Sequence, residues 1–476
     1  MKQQAKKYIV AMGVGVFALS ASTVLPSSAA AKAKANGSCK AVGAKEGNLV
    51  CVAKGRKKVW QAAPAATVAP TTVAGAAPAP APASGPKVVP GFDGKTISLA
   101  HLGNVASGPF AVGGKALTAG FLAYMNDLND KGGIAGKYKV NTIFAETEYS
   151  PDVASQKYAE LKDKTVMVSQ IYGTPLVVAL AAKLKQDNIV GSPISLDAQW
   201  ARDESYLPIG GAYQFQAINV LDWVYNNAGG KGKKFCAAAH TGPYGDTGVE
   251  GFGIATKKLG VDTGPIVRFA AGEPNMAAVV SQLKEANCGV VLLAEASAQT
   301  TGLIVNGAQN GYNPTFVGLS PSFDKGQVNN GTEALYNKQY FVATDAGEWG
   351  DPAIPGMAAA IASVKKNAPQ YAADVNGAFI WGYVQAKTVA AVLEKAAALG
   401  DFSRDGIKAA MTQTGRVNLD ALMPEYDYGP VAGRTPSTAS YIMKVDSSVL
   451  GRLTYATSNK PFSSPLTAGY KNAAWK

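Results

Sequence analysis

Residues 95–130 read KTISLAHLG-NVASGPFAVGG-KALTAGFLAYMNDLND, and this stretch decides the fold. Lys95–Gly103 is a strand-like run. Lys115–Asp130 has the helical period, with Leu117, Phe121, Met125 and Leu128 on one face. A small-residue loop, Ser107-Gly108-Pro109-Phe110-Ala111 followed by Gly113-Gly114, joins them. Working outward, the unit repeats: strand Lys139–Phe144, helix Asp152–Leu161, strand Thr165–Ile171, helix Leu176–Gln186, strand Ile189–Gly191. After a break it resumes with strand Phe235–Ala239, helix Gly248–Leu259, strand Pro265–Phe269, helix Met276–Ala286, strand Val290–Leu293, helix Thr301–Gln309 and strand Thr315–Val317. Strands alternating with helices imply parallel sheets covered on both faces. Two such series predict an α/β protein of two doubly wound, Rossmann-like lobes.

The rest of the chain bounds what those lobes do. Of 476 residues, 47% are hydrophobic and 16% charged, enough for a sizeable core. The net charge of +12 is concentrated: residues 1–62 hold eleven Lys and Arg against one acid, Glu46, leaving about +2 for everything beyond. The large C-terminal part has no basic footprint, so nucleic acid is excluded as a partner. His101 and His240 are the only histidines, which removes multi-histidine metal sites. No metal, cofactor or catalytic group is expected. An enzyme would have to work with Glu295, Tyr244, His240 and hydroxyls.

Residues 1–31 have the layout of an export signal: Lys2, Lys6 and Lys7, then a mostly apolar Tyr8–Leu25, then Ser27-Ser28-Ala29-Ala30-Ala31 as a small-residue cleavage site. An N-terminal membrane anchor is the alternative; Asn36-Gly37-Ser38 before Cys39 is not a lipoprotein box, so export without a lipid anchor is expected, to a periplasmic or an extracellular, cell-wall-associated location. Residues 32–62 form a small basic module whose Cys39 and Cys51 flank a short loop. It is too small for a core, so it needs a staple. Its basic run suits an anionic cell-envelope polymer; a solvated basic tail is the alternative. Residues 63–90 are Ala, Pro, Thr and Val, a semi-rigid polyproline-like spacer. The remaining 91–476 hold the lobes.

Ligands of open α/β sheets sit beyond the carboxyl ends of the strands. There lie Ser107–Ala111 and, after the third strand, Tyr172-Gly173-Thr174-Pro175, and neither is a dinucleotide fingerprint or a P-loop. Phe110, Tyr172 and Trp200 either line a cleft or pack in the core. Asp246 and Glu250 suit a helix N-terminus better than paired catalysis.

Ser107-Gly108-Pro109, the run Asn126–Gly136 (NDLNDKGGIAG), Tyr244-Gly245 and Gly382-Tyr383 together resemble the Leu/Ile/Val-type extracellular solute-binding proteins of ABC transporters, in order from about Lys95 to Ser458. The resemblance implies a type I periplasmic-binding-protein fold: two lobes joined by three crossovers, one of about 95–214 and 344–440, the other of about 215–343 and 441–460. It implies that Ser107, Phe110, Ala111, Gly173, Thr174, Ile194 and Ser195 hold a ligand's carboxylate side, with Tyr172 beside them and Tyr244 covering from the second lobe. The acid that meets an ammonium in amino-acid binders is replaced here by Ser320. That leaves Glu295 or Asp324 to supply a charge, and makes amides, urea-like compounds and small carboxylates candidates beside amino acids. The partners implied are a small-molecule ligand and an ABC transporter permease. An envelope interaction or sensing protein that uses the same fold without transport is the alternative.

Four cysteines permit three pairings. In a doubly wound lobe the first and third strands are neighbours, which brings Cys236 and Cys288 to one sheet edge and favours Cys39–Cys51 with Cys236–Cys288.

Overall fold

The structure, a computed structural model, describes residues 37–46, 49–62, 85–329, 331–372 and 377–474. The export-signal expectation and residues 63–84 of the spacer lie outside them. The chain divides near Pro80 into two units, each described by itself.

The first unit is an antiparallel sheet of β1 (Lys45–Glu46), β2 (Leu49–Lys54) and β3 (Lys57–Ala62). The Cys39–Cys51 disulfide closes it, and Cys51 is its one buried side chain among the described residues. A single buried sulfur is no core, so the cross-link carries much of the unit's order.

The second unit begins with β4 (Thr96–Gly103), α1 (Ala111–Asp130), β5 (Lys139–Glu146), α2 (Pro151–Leu161), β6 (Met167–Tyr172), α3 (Thr174–Asp187) and β7 (Gly191–Ile194). These strands form an all-parallel sheet of order β5-β4-β6-β7. The chain then crosses into α4 (Tyr213–Asn227), β8 (Lys234–His240), α5 (Pro243–Leu259), β9 (Thr263–Phe269), α6 (Ala277–Glu285), β10 (Cys288–Ala294), α7 (Ser297–Gln309), β11 (Thr315–Gly318), α8 (Glu333–Gln339) and β12 (Tyr340–Thr344). It returns for α9 (Met357–Asn367), α10 (Gly377–Leu399), α11 (Arg404–Gln413) and the short pair β13 (Gly415–Arg416) and β14 (Asp427–Tyr428). Finally it crosses again to β15 (Tyr441–Val445) and β16 (Leu453–Tyr455). The second sheet has the order β16-β15-β12-β11-β10-β8-β9, parallel except at β12-β15 and β15-β16.

Both sheets are apolar through their centres: β6 is buried throughout and β10 nearly so, as parallel strands covered on two faces require. α1 and α10 lie backbone to backbone, because Gly120 and Gly382 face carbonyls of the opposite helix. Cys236 and Cys288 are joined, on the neighbouring strands β8 and β10.

Two expectations shift. The strand expected at Ile189–Gly191 is Gly191–Ile194 instead. Ile189 N–H closes the end of α3 on Leu184 O, and the strand runs on to Ile194 through Pro193, tolerated at a sheet edge. Helices α1, α3, α5 and α7 start before their apolar periodicity does. Their first turns are mostly Gly, Pro, Ser, Thr and Ala, with single larger residues such as Val112 and Tyr244 that set up no helical period.

Candidate functional site

Those unpatterned first turns converge. The loop before α1 hangs on one carboxylate: Glu146 Oε2 accepts the N–H groups of Val105 (2.8 Å) and Ala106 (3.0 Å), and Oε1 those of Thr147 (3.1 Å) and Glu148 (2.9 Å). The chain then passes through two left-handed residues, Glu148 (φ 53) and Tyr149 (φ 56). These turn the Tyr149 ring toward Gly173, where a Cβ would lie 2.4 Å from it; Gly173 also sits at φ 115, so glycine is required twice over. Tyr172 donates its hydroxyl to Phe110 O (2.9 Å), and the Phe110 and Tyr149 rings are 4.9 Å apart.

The second sheet supplies Tyr244 from the first turn of α5. Its ring packs on Tyr213 (5.0 Å) and, across the cleft, on Phe110 (6.2 Å). Its hydroxyl donates to Glu295 O (3.4 Å). Burial pushes the Tyr172, Tyr213 and Tyr244 hydroxyls far up, so all are neutral donors.

These groups enclose a cavity of about 290 Å³ between the lobes, at the small end for a small-molecule site. Its wall includes Phe110, Tyr149, Tyr172, Tyr213, Tyr244, Phe323 and Trp381, with Leu117, Ile194, Leu196, Val342 and Leu453. Its polar members are few: Thr174, Ser297, Ser320, Gln327, Thr344 and one charged residue, Asp324, which caps its own turn through Gly326 N–H (2.8 Å).

Of the residues singled out from sequence, Phe110, Tyr172, Gly173, Thr174, Ile194, Tyr244 and Ser320 line this cavity. Ser107 is exposed in the loop and Ala111 is buried in the first turn of α1; neither is on the wall. Ser195 sits behind it, donating to Thr174 Oγ1 (2.9 Å) and accepting from Trp200 Nε1 (2.9 Å). Trp200 is core, packed on Tyr206. Glu295 is fully buried beneath Tyr244; Thr300 donates to its Oε1, and desolvation holds the carboxyl well above the carboxylate range. A neutral, enclosed Glu295 does not replace the missing acid.

The histidines are scaffold. His101 is buried and its pKa is pushed down to about 3 by desolvation, and His240 bonds Gln299. Asp246 pairs with Arg268 (2.9 Å) and Glu250 accepts from Gln214 and Tyr470. No cluster of His, Cys, Asp and Glu suited to a metal occurs among the described residues.

Sequence reading missed Tyr149, Tyr213, Phe323 and Trp381. Tyr149 follows the second strand, so the strand-end rule applied there too would have found it. Tyr213 and Trp381 lie on helices adjoining the crossovers and carry no local signal.

The family model for periplasmic binding proteins matches residues 96–449. A fatty acid ABC transporter substrate-binding protein from Thermomonospora curvata superimposes with TM-score 0.75 at 21% identity, over 81% of this chain and 97% of that one. A branched chain amino acid ABC transporter protein from Thermus thermophilus with bound valine gives 0.68 at 15% identity, over 78% and 97%. A leucine binding protein from Thermotoga maritima gives 0.63 at 14%, over 76% and 97%. A search of the curated proteins gives no match. At these identities the structural likeness is one of fold, and the match over residues 96–449 supplies the family. The chain has the type I periplasmic-binding fold and belongs to the periplasmic binding protein family.

Proposed function

We propose that this protein is an exported receptor that captures a solute with an apolar body and a single carboxylate or carbonyl head, and delivers it to an ABC transporter permease. The lobes, about 95–214 with 344–440 and about 215–343 with 441–460, close over the solute and present the closed form to the permease. The observation that carries this reading is the cavity wall: seven aromatic rings and no Lys or Arg among the lining residues. An α-amino acid needs a partner for its ammonium, and Asp324 is the one charged residue there, already engaged with Gly326. A lone anionic head has another partner. The first turns of α1, α3, α5 and α7 all reach the cavity, and no side chain caps any of the four. Some of their N–H groups already donate to loop carbonyls, as Ala111 does to Gly108 O and Leu176 to Gly173 O; the others and the positive dipole ends suit an acceptor without a cationic side chain.

The test is a thermal-shift series on the full chain with decanoate, phenylacetate, valine, decanamide, decylamine and urea. Saturation at about 100 times the dissociation constant adds roughly 2.7 kcal/mol. Decanoate or phenylacetate should raise the midpoint, decanamide less, and decylamine and urea not at all. A response confined to urea or the amine would overturn the reading.

A second partner is favoured by the first unit. Lys40, Lys45, Lys54, Arg56, Lys57 and Lys58 are all exposed, and Lys54 stands directly opposite Lys57. Like charges facing across strands oppose folding, so the module's own stability does not explain them. An anionic envelope polymer does. Retention on purified cell-wall polymer should fall with salt and vanish when Lys54, Arg56, Lys57 and Lys58 are all changed to Gln; equal retention would refute it.

A further inference from the structure

The chain passes between the two sheets three times, and the three passages meet at one carboxyl group. Asp345 is the first residue after β12 and is fully buried. Its Oδ2 accepts the N–H of Gly211 (2.9 Å), in the passage between β7 and α4. Gly211 in turn bridges to Ser437, in the passage between β14 and β15. Space is tight on every side. A Cβ at Gly210 would lie 2.8 Å from Asp345 Oδ2, and one at Gly211 would lie 3.1 Å from Oδ1.

The same carboxyl reaches the cavity. Asp345 Oδ2 also accepts from Gln216 Nε2 (3.3 Å), and the Oε1 of that buried amide accepts the N–H of Ser320 (3.0 Å), a residue of the cavity wall. Thr344, next to Asp345 in sequence, is on the wall as well. A strut thus runs from the crossovers to the cavity wall through Asp345 and Gln216.

We propose that Asp345 is the positioning residue of lobe closure: while neutral it pins the three crossovers and the Gln216–Ser320 strut in the closed arrangement, and once ionised, a buried charge with no cation beside it, it favours the open arrangement in which water reaches it. This rests on the reading that the lobes close on a solute, and adds what governs the closing.

The chemistry follows from the surroundings. Oδ1 has no hydrogen-bond partner, and no cation pairs with the carboxyl among the described residues. The Gly211 amide and Gln216 donate to it and favour the ionised form, but less than desolvation opposes it, and around the adjoining Gly210 and Gly211 lie Ser437 O, Trp381 and Met423. The titratable neighbour is Tyr213, itself kept neutral by burial. Desolvation raises the Asp345 carboxyl to about 7. Opening that admits water would return it to the ordinary carboxyl value of about 4. The sign follows from linkage. A group whose pKa is higher in the closed form favours closure fully below the open-form value. That contribution is lost as pH rises through the closed-form value of about 7.

The experiment uses the full chain carrying fluorophores at Lys183→Cys and Lys257→Cys, exposed positions on α3 and α5, and reads lobe separation by energy transfer with and without decanoate. From pH 5 to 7 the closed-to-open ratio should fall by up to about tenfold per pH unit, then level off. Asp345→Asn, which cannot lose a proton, should stay at the low-pH level throughout. A flat wild-type profile overturns the proposal even if the Asn variant fails to fold. A slope that survives in Asp345→Asn overturns it too, since it would belong to another group such as His240. If decanoate does not bind, the solute assignment fails, while the ligand-free profile still decides the role of Asp345.

Discussion

Two glycine-to-alanine changes in helix interiors should move stability in opposite directions. A Cβ at Gly382 would lie 1.8 Å from Leu117 O, and one at Gly120 would lie 2.1 Å from Phe379 O. Cβ atoms stay at least 3.0 Å from such neighbours, so Gly382→Ala must part α1 and α10 by about 1.2 Å. The obstacle is a main-chain carbonyl, which cannot swing aside as a side chain does. Overpacking of this kind costs about 1–3 kcal/mol, and the obstacle places it near the upper end. Better helix propensity returns about 1 kcal/mol, leaving a net loss of about 2 kcal/mol. Gly253 in α5 is exposed with nothing within 4 Å of its would-be Cβ, so Gly253→Ala should keep the whole propensity gain of about 1 kcal/mol. The two variants should therefore differ by about 3 kcal/mol. Urea denaturation reads this directly: at a slope of about 3 kcal/mol per molar, their midpoints should lie about 1 M apart on either side of wild type. Gly382→Ala should also blunt the decanoate response, because Trp381 beside it lines the cavity. If Gly382→Ala denatures at the same urea concentration as Gly253→Ala, or higher, the helix contact is not as tight as described.

Replacing Cys236 and Cys288 by Ser opens a loop of 52 residues, which chain entropy values at about 4 kcal/mol; an unchanged urea midpoint would contradict it. The bridge of separation 12 at Cys39–Cys51 is worth about 3 kcal/mol to a unit with almost no core, so mild reduction should unfold that unit while the larger one keeps its circular dichroism. Ser195→Ala strands Trp200 Nε1 and should cost about 1–3 kcal/mol, with decanoate binding unchanged because Ser195 lies behind the wall; a large loss of binding would put it in the site after all. Glu146→Gln replaces one oxygen that accepts two N–H groups, so amide exchange should quicken at one of the pairs Val105–Ala106 or Thr147–Glu148, and unaltered exchange at both would refute the staple.

What the sequence made legible was whatever has a period or a fixed chemistry. The strands β4, β6, β8 and β10 announce themselves as apolar runs between helical patterns, and both cysteine pairs follow from compartment and strand order. Phe110, Tyr172 and Tyr244 were reachable because a general rule says where ligands sit in such sheets. Ser195 and Glu295 obey the same rule of position and still fail, because it does not say which way a side chain turns. Ser195 turns back to Trp200, and Glu295 turns beneath Tyr244 to meet Thr300. Trp381 and Asp345 were out of reach for the opposite reason. Each gains its place from residues distant in sequence, Trp381 beside Gly210 and Asp345 beside Gly211, and no window of sequence contains that pairing.

On the proposed reading, the helix starts that hid from pattern reading also give the cleft a reason to favour a solute over vacancy. A helix first turn has N–H groups with no partner inside the helix, and at two helices of this chain a serine side chain meets that need, Ser150 at α2 and Ser403 at α11. At α1, α3, α5 and α7 none does. While the lobes are apart, water can serve those donors. Closing the aromatic wall displaces the water and offers few acceptors in return, since the tyrosines are themselves donors and Tyr172 and Tyr244 spend their hydroxyls on Phe110 O and Glu295 O. Closure on an empty cavity therefore strands polar groups, whereas closure on a carboxylate or carbonyl satisfies them and buries the solute's apolar body against the rings. On that reading the preference for the liganded closed state is built from the same residues that shape the cavity, and solutes that bring only donors are selected against. Decylamine, with an apolar body like that of decanoate and a head that can only donate, should fail for this reason even where its chain fits.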